Sequence, residues 1–380
     1  MDQQGSQGRE NVPRTHAKHL NVATRKTPRA INRQIVLELL RAHQAISRAD
    51  LARLLGMQRS AAGRIVSDLI AQGLVREGAP GATHRGRKPT MLHLDSDGRC
   101  AVAVDVRVTR TYVVATDLVG RELTAVRSFA TDGEPQAFAA HLASEVHRLL
   151  ADHGESGRCL GVGVAFPGML DRSGSVVLRA PGMGWRDVRL REPLSERLGL
   201  PVVMENAAKA CALALIWSAR GDEPPGDLAF VSVSDGVGVG IVMAGEVLRG
   251  RNNAAGEFGH LPLSIDGPRC ACGALGCWEA YVSNLATLSR FVGVPYAPHR
   301  PLPPAMARAS VDDVITAARA GDAKAVTALV TTARYFGLGL ASIVNAFDPD
   351  RIHVGGEITA AWRGAAALVG ASVFAGASVA

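Results

Sequence analysis

The chain has 380 residues, 47% of them hydrophobic and 20% charged, with a formal net charge of +7. That length exceeds one ordinary core, so several domains are expected. Every run of eighteen apolar residues is interrupted by a charge or a turn residue, and the opening MDQQGSQGRE lacks the apolar stretch of a signal peptide, which argues against a membrane span or secretion and for a cytoplasmic, nucleoid-associated protein.

The charge is unevenly placed: residues 1–94 hold 16 of the 42 Lys/Arg but only 6 of the 35 Asp/Glu, a net +10 against −3 for the remainder. A basic head on a near-neutral body suggests a nucleic-acid partner. Residues 1–27 are polar and aperiodic, a basic tail expected to stay flexible. From Ile31 the pattern becomes helical, with Ile31, Ile35, Leu39 and Leu40 on one face. Ser47 and Asp50 form a capping box for a second helix that stops at Gly56. A third helix, about Arg59 to Gln72, turns Ile65, Leu69 and Ile70 inward and ends at Gly73.

The following LVREGAPGATHRGRKPTMLHLD reads as strand, turn and strand, so residues 28–94 are predicted to be a winged helix-turn-helix domain. Gln58, Arg59, Ser60 and Arg64 on the third helix would face the major groove of double-stranded DNA. Arg85, Gly86, Arg87 and Lys88 in the wing would enter the minor groove. Three short helices also make protein-interaction bundles; basic charge, capping box and basic wing together favour DNA.

From about Asp95 the texture is α/β. AVAVDVRVTRTYVVATDL reads as two strands, EPQAFAAHLASEVHRLLADHG as a helix, and CLGVGVAFPGML as a strand and loop. VVMENAAKACALALIWSARG reads as a strand entering a bridging helix, LAFVSVSDGVGVGIVMAGEVL as two strands joined by a glycine turn, and RIHVGGE as a last strand, with two helices before it. Two lobes are expected, 95–213 and 214–380.

Within GEFGHLPLSIDGPRCACGALGCWE, Cys-x-Cys-x4-Cys with an upstream histidine supplies four zinc donors: His260, Cys270, Cys272 and Cys277. Four protein donors leave no position for an activated water, so a structural Zn2+ is expected. Free thiols beside a core histidine are the alternative. The scattered Cys100, Cys159 and Cys211 read as buried thiols in a reducing compartment, not a disulfide framework. Glu257 and Glu279 flank the cage, held as a polyol pocket would need them, or else are solvated loop carboxylates.

GEFGH, CACGALGCWE, AFPGML, GVGVGIVMAGEVL with Gly250, and a head ending in GRKPT together resemble the ROK family of repressors and sugar kinases, from about residue 30 onward. The resemblance implies an α/β fold: a winged helix-turn-helix followed by a two-lobed actin/hexokinase-like (ribonuclease H-like) body with a monosaccharide in its cleft. It implies sugar contacts from Gly168, Asn206, Glu257, His260 and Glu279, so that His260 serves ligand and metal. It also implies a terminal helix returning to the first lobe, whereas the chain stops at AGASVA.

Departures from the family's kinases accompany it. Their Asn-Asp pair, whose Asp is the catalytic base, is replaced by Asn206-Ala207. Their Asp-x-Gly-Gly-Thr phosphate loop is replaced by Asp105-Val106-Arg107-Val108-Thr109, and their Gly-Thr-Gly by Ser234-Asp235-Gly236. Gly182 stands where a sugar-contacting Asn is common. Gly238 and Gly240 read as a tight turn. No catalytic residue is assigned. The expectation is a sugar-responsive repressor, a homodimer or homotetramer, released from a DNA operator by a monosaccharide. A kinase with a DNA-binding head, and a DNA-binding protein whose body only oligomerises, are the alternatives.

Overall fold

A computed structural model describes residues 29–43, 45–80, 89–96, 98–154, 158–218, 226–298, 306 and 308–361. The N-terminal tail, the wing residues Arg85, Gly86, Arg87 and Lys88, and residues 362–380 lie outside these. Packing divides the chain into two units, Met1–Arg99 with Trp217–Pro225, and Cys100–Ile216 with Gly226–Ala380.

In the first unit α1 (Arg29–His43), β1 (Ile46–Ser47), α2 (Arg48–Leu54), α3 (Arg59–Ala71), β2 (Val75–Pro80) and β3 (Thr90–Leu94) follow in order. The helical spacing buries Ile35, Leu39, Leu40, Leu51, Ile65 and Leu69 against Val75 and Leu92. Val36 joins them and widens the buried face of α1. Ser47 caps α2: its hydroxyl oxygen accepts the Asp50 N–H at 3.1 Å and its O–H donates to the Asp50 carboxylate at 2.6 Å. The capping segment also pairs Ile46 with Leu92, giving an antiparallel sheet of order β1-β3-β2. A two-residue strand carries no periodicity, so the sequence pattern does not announce it.

The second unit opens with β4 (Cys100–Val106), β5 (Arg110–Asp117), β6 (Arg127–Ala130), α4 (Pro135–Asp152), β7 (Cys159–Phe166), β8 (Met169–Leu170), β9 (Val176–Ala180), β10 (Trp185–Arg189), α5 (Arg191–Leu198) and β11 (Val202–Asn206). Five strands form one sheet of order β11-β7-β4-β5-β6, in which β4, β7 and β11 run parallel. Alternation along β4 and β7 sends Val102, Val104, Val162, Val164 and Phe166 into a core shared with Phe138, Leu142, Val146 and Leu149 of α4.

A bridging helix α6 (Ala207–Ser218) leads to β12 (Leu228–Val233), β13 (Val237–Met243), β14 (Glu246–Val247), α7 (Glu279–Val282), α8 (Asn284–Val292), α9 (Val311–Arg319), α10 (Ala323–Phe347) and β15 (Arg351–Gly355). The second sheet has order β14-β13-β12-β15. Gly238 and Gly240 lie inside β13, not in a turn, and the reason is packing. A Cβ on Gly238 would come 2.9 Å from Ala208 Cβ, and one on Gly240 2.8 Å from Ala212 Cβ, so the bare strand lets α6 lie close against the second sheet. Helix α6 therefore starts on a strand of one lobe and packs on the sheet of the other.

Helix α10 has 25 residues and a mean hydropathy of 1.3 over its most apolar window, enough by length and composition to cross a membrane. Within the fold it is the central helix of the second lobe, burying Ala325, Ala328, Thr332, Ala333, Phe336, Gly339 and Ile343. Gly339 meets the indole of Trp278 face on, leaving no room for a Cβ. Gly339→Ala is expected to displace Trp278 and lower the stability of the body by about 1–3 kcal/mol, read as a shifted denaturation midpoint in urea.

Candidate functional site

At the C-terminal end of β11 the chain turns directly into α6, and Asn206 makes the turn possible. Its Oδ1 accepts the N–H groups of Ala208 (3.1 Å) and Lys209 (3.2 Å), two of the orphan donors of a helix start. Its Nδ2 donates to the Gly168 carbonyl at 2.9 Å, leaving one amide N–H for a ligand. Gly168 has φ +136°, and a Cβ there would lie 2.5 Å from the Arg179 carbonyl, so only glycine serves. The two predicted ligand residues are thus brought together by a direct bond.

Glu257, His260 and Glu279 form the second group. Glu257 is half-buried, and its carboxyl is pushed above the usual range by burial and by Glu279, against the pull of His260 and Lys209. Glu279, first residue of α7, accepts the Val237 N–H at 2.9 Å and the Cys270 thiol at 3.3 Å. It is therefore a carboxylate anchored to strand β13, not a free loop group.

The four candidate zinc donors lie together. One donor atom from each of His260, Cys270, Cys272 and Cys277 lies within 4.8 Å of the others. Cys270 Sγ to His260 Nδ1 and Cys272 Sγ to Cys277 Sγ both measure 3.6 Å. Zinc bonds of about 2.0–2.3 Å at tetrahedral angles require donors roughly 3.4–3.8 Å apart, so these residues fit the ion. Nδ1 of His260 faces the cage, which leaves Nε2 as the nitrogen for a ligand. Burial, then the charge of Glu279, pushes the Cys270 thiol up; burial, then the hydrogen bond with Cys272, raises Cys277 to about 11. Only a cation makes thiolates of them near neutral pH.

The turn after β4 is held by its own side chains. Arg107 donates Nε to Asp105 (2.9 Å) and Nη1 to Glu357 (2.6 Å), and its guanidinium lies 5.0 Å over the Tyr112 ring. Glu357 also accepts Asn284 Nδ2 at 3.0 Å. Val108 presses on the chain at Gly182, where a Cβ would lie 2.8 Å from its Cγ2. The two departures read separately in the sequence are one packing event: valine occupies the space that a side chain at 182 would need.

In the first unit Gln58, Arg59, Ser60 and Arg64 are all exposed on the first turns of α3, with Ala62, Ile65 and Val66 buried behind them. They present a coherent polar and basic face, as a groove-reading helix does.

A family model described as "ROK family" matches residues 101–372, well over half of the chain. The chain belongs to the ROK family. A "MarR family" model matches residues 32–86, the winged-helix segment. Over 336 residues this ROK chain is 28% identical to the xylose repressor of Bacillus subtilis, covering 88% of this chain and 84% of that one. It is 31% identical to the glucokinase of Streptomyces coelicolor over 267 residues, 68% of this chain and 82% of that one. Among solved structures, a ROK family transcriptional regulator homologous to the E. coli MLC protein superposes with a TM-score of 0.72 at 24% identity, covering 91% and 89% of the two chains. The fold is a winged helix followed by a two-lobed ROK body.

Four polar residues of this ROK site carry no motif. Lys209 is buried to 1% exposure and donates Nζ to the backbone and side-chain oxygens of Asn253 (2.5 and 3.1 Å). Asn253 Nδ2 reaches the Leu170 carbonyl at 3.2 Å, and Arg249 pairs with Glu205. Lys209 is the one visible in principle, as a charge at an otherwise apolar helix position.

The cage should hold one zinc per chain, and Cys272→Ser should lose it, as counted by metal analysis of the purified protein. Because thiol protons must leave, zinc affinity should fall as pH drops from about 8 to about 6, measured by competition with a chromophoric chelator.

Proposed function

We infer that this ROK chain is a sugar-responsive transcriptional repressor that leaves its operator when a monosaccharide enters the body. The observation that carries the reading is the ion pair of Arg107 with Asp105 and Glu357, which fills the phosphate side while the Gly168–Asn206 and Glu257–His260–Glu279 groups keep their hydrogen-bonding capacity. Phosphoryl transfer needs a base for the sugar hydroxyl and a backbone cradle for phosphates. The residue after Asn206 is Ala207, whose methyl accepts no proton, and loss of a general base alone costs ~10² to 10⁴ in rate. Polyol binding survives these losses; transfer does not.

Zinc would act as a clamp, since four protein donors close its coordination and hold the loop between the two glutamates. The exposed face of α3 would read base edges in the major groove, as part of a cytoplasmic homodimer or homotetramer on half-sites about 34–36 Å apart. To move the operator from mostly bound to mostly free, the sugar must favour one state by ~5 kcal/mol in the limiting case. The relatives' name makes D-xylose the first effector to test.

The test is fluorescence anisotropy on a DNA fragment selected in vitro by the protein, titrated with D-xylose, D-glucose and other aldoses, beside a coupled ADP-release assay. Release by one sugar without ADP formation is expected; sustained ADP production would identify a kinase instead, and indifference to every sugar would leave a DNA-binding oligomer. Arg64→Ala should weaken operator binding by about 1–3 kcal/mol with sugar affinity unchanged by calorimetry.

A further inference from the structure

Lysine is rarely buried without a charged partner, yet Lys209 is 1% exposed and its ammonium donates to two neutral oxygens, both of Asn253. Taking an ammonium out of water is unfavourable unless its hydration is replaced. Burial accordingly pulls the Lys209 amine below its ordinary range, opposed by the charges of Glu257 and Glu205. An expense of that kind calls for a function that a leucine could not perform.

The partner explains it. Asn253 is itself 3% exposed, sits at φ +58°, and donates Nδ2 to the carbonyls of Leu170 (3.2 Å) and Asp171 (3.4 Å) in the first lobe. It lies in the middle of the loop from Arg249, which pairs with Glu205, to Glu257. The backbone N–H of Lys209 is in turn one of the two held by Asn206. A single residue therefore touches the Gly168–Asn206 group through its main chain and the loop carrying Glu257 through its side chain.

We propose that Lys209 is a positioning residue for the effector: acting through Asn253, it fixes the 249–257 loop across the two lobes and sets where Glu257 presents its carboxylate. This rests on the reading that a sugar binds against Asn206 and Glu257. Lys209 does not touch the sugar, because its side chain is enclosed. Supporting groups of this kind are what hold a site's contacting side chains in register.

The experiment is calorimetric titration of the full chain with D-xylose and with each aldose that releases DNA from the unsubstituted protein, with zinc content and thermal melting as folding controls. Lys209→Met, which keeps the stem and removes the charge, and Asn253→Ala should each weaken binding about tenfold or more. The double variant should bind no worse than the weaker single one, because both break one chain of contacts, and Lys209→Arg should recover part of the loss. Lys209→Met binding within about twofold of the unsubstituted chain, or losses that simply add, would overturn the assignment.

Should Lys209→Met fail to fold, Asn253→Asp decides: it keeps an acceptor for the ammonium and loses the donor to Leu170 and Asp171, so weakened binding supports the bridge and normal binding overturns it. An unsubstituted chain that binds no sugar overturns the effector reading, and this inference with it.

Discussion

Two N–H groups at the start of α6 converge on one side-chain oxygen, that of Asn206, and the ligand half of the body depends on that cap. A helix start leaves four donors without partners. Satisfying two of them from the last residue of β11 lets strand pass into helix with no intervening loop. The direction of α6 is then set, and Ala208 and Ala212 come down on the bare stretch of β13. One amide thus fixes the seam between two sheets, while its other end fastens Gly168. Three of the hydrogen bonds of Asn206 are employed in architecture.

The second support is the cage. Its donors span residues 260 to 277, and the chain between them makes isolated bridges, Pro262 with Cys277 and Arg269 with Leu275, instead of regular strands. Short irregular segments of this sort have little core of their own, so an ion held by the four donors would supply what burial cannot. Trp278 continues directly from the last cysteine into the core against α10, stacked on Phe336. Glu279 follows at once. Cysteine, indole and carboxylate occupy three consecutive steps of chain, and the Val237 N–H holds the last of them, which is why the carboxylate has so little freedom.

Much of this was legible in the residues. The head's helices follow from apolar spacing, the cage from cysteine spacing, and the lobes from alternating strand and helix texture. What stayed hidden shares a physical character. β1 and β6 are too short to show a period. Lys209, Asn253 and Arg249 act through partners 44, 83 and 44 residues away, and no local pattern encodes such pairings. Gly238 and Gly240 look like a turn in one dimension because glycine is common in turns; that a helix presses on them appears only in three. The length and apolarity of α10 describe a buried lobe helix as well as a membrane span, and its neighbours decide.

Val108 against Gly182 has a consequence for how such a body can change. Restoring an asparagine at 182 alone would drive its Cβ into the valine, and shrinking the valine alone would open a hole beside a bare glycine. The two positions are therefore coupled, because the space one side chain needs is held by the other. Any side chain at 182 calls for a smaller residue at 108, and substitutions at the two positions are expected to be non-additive in stability.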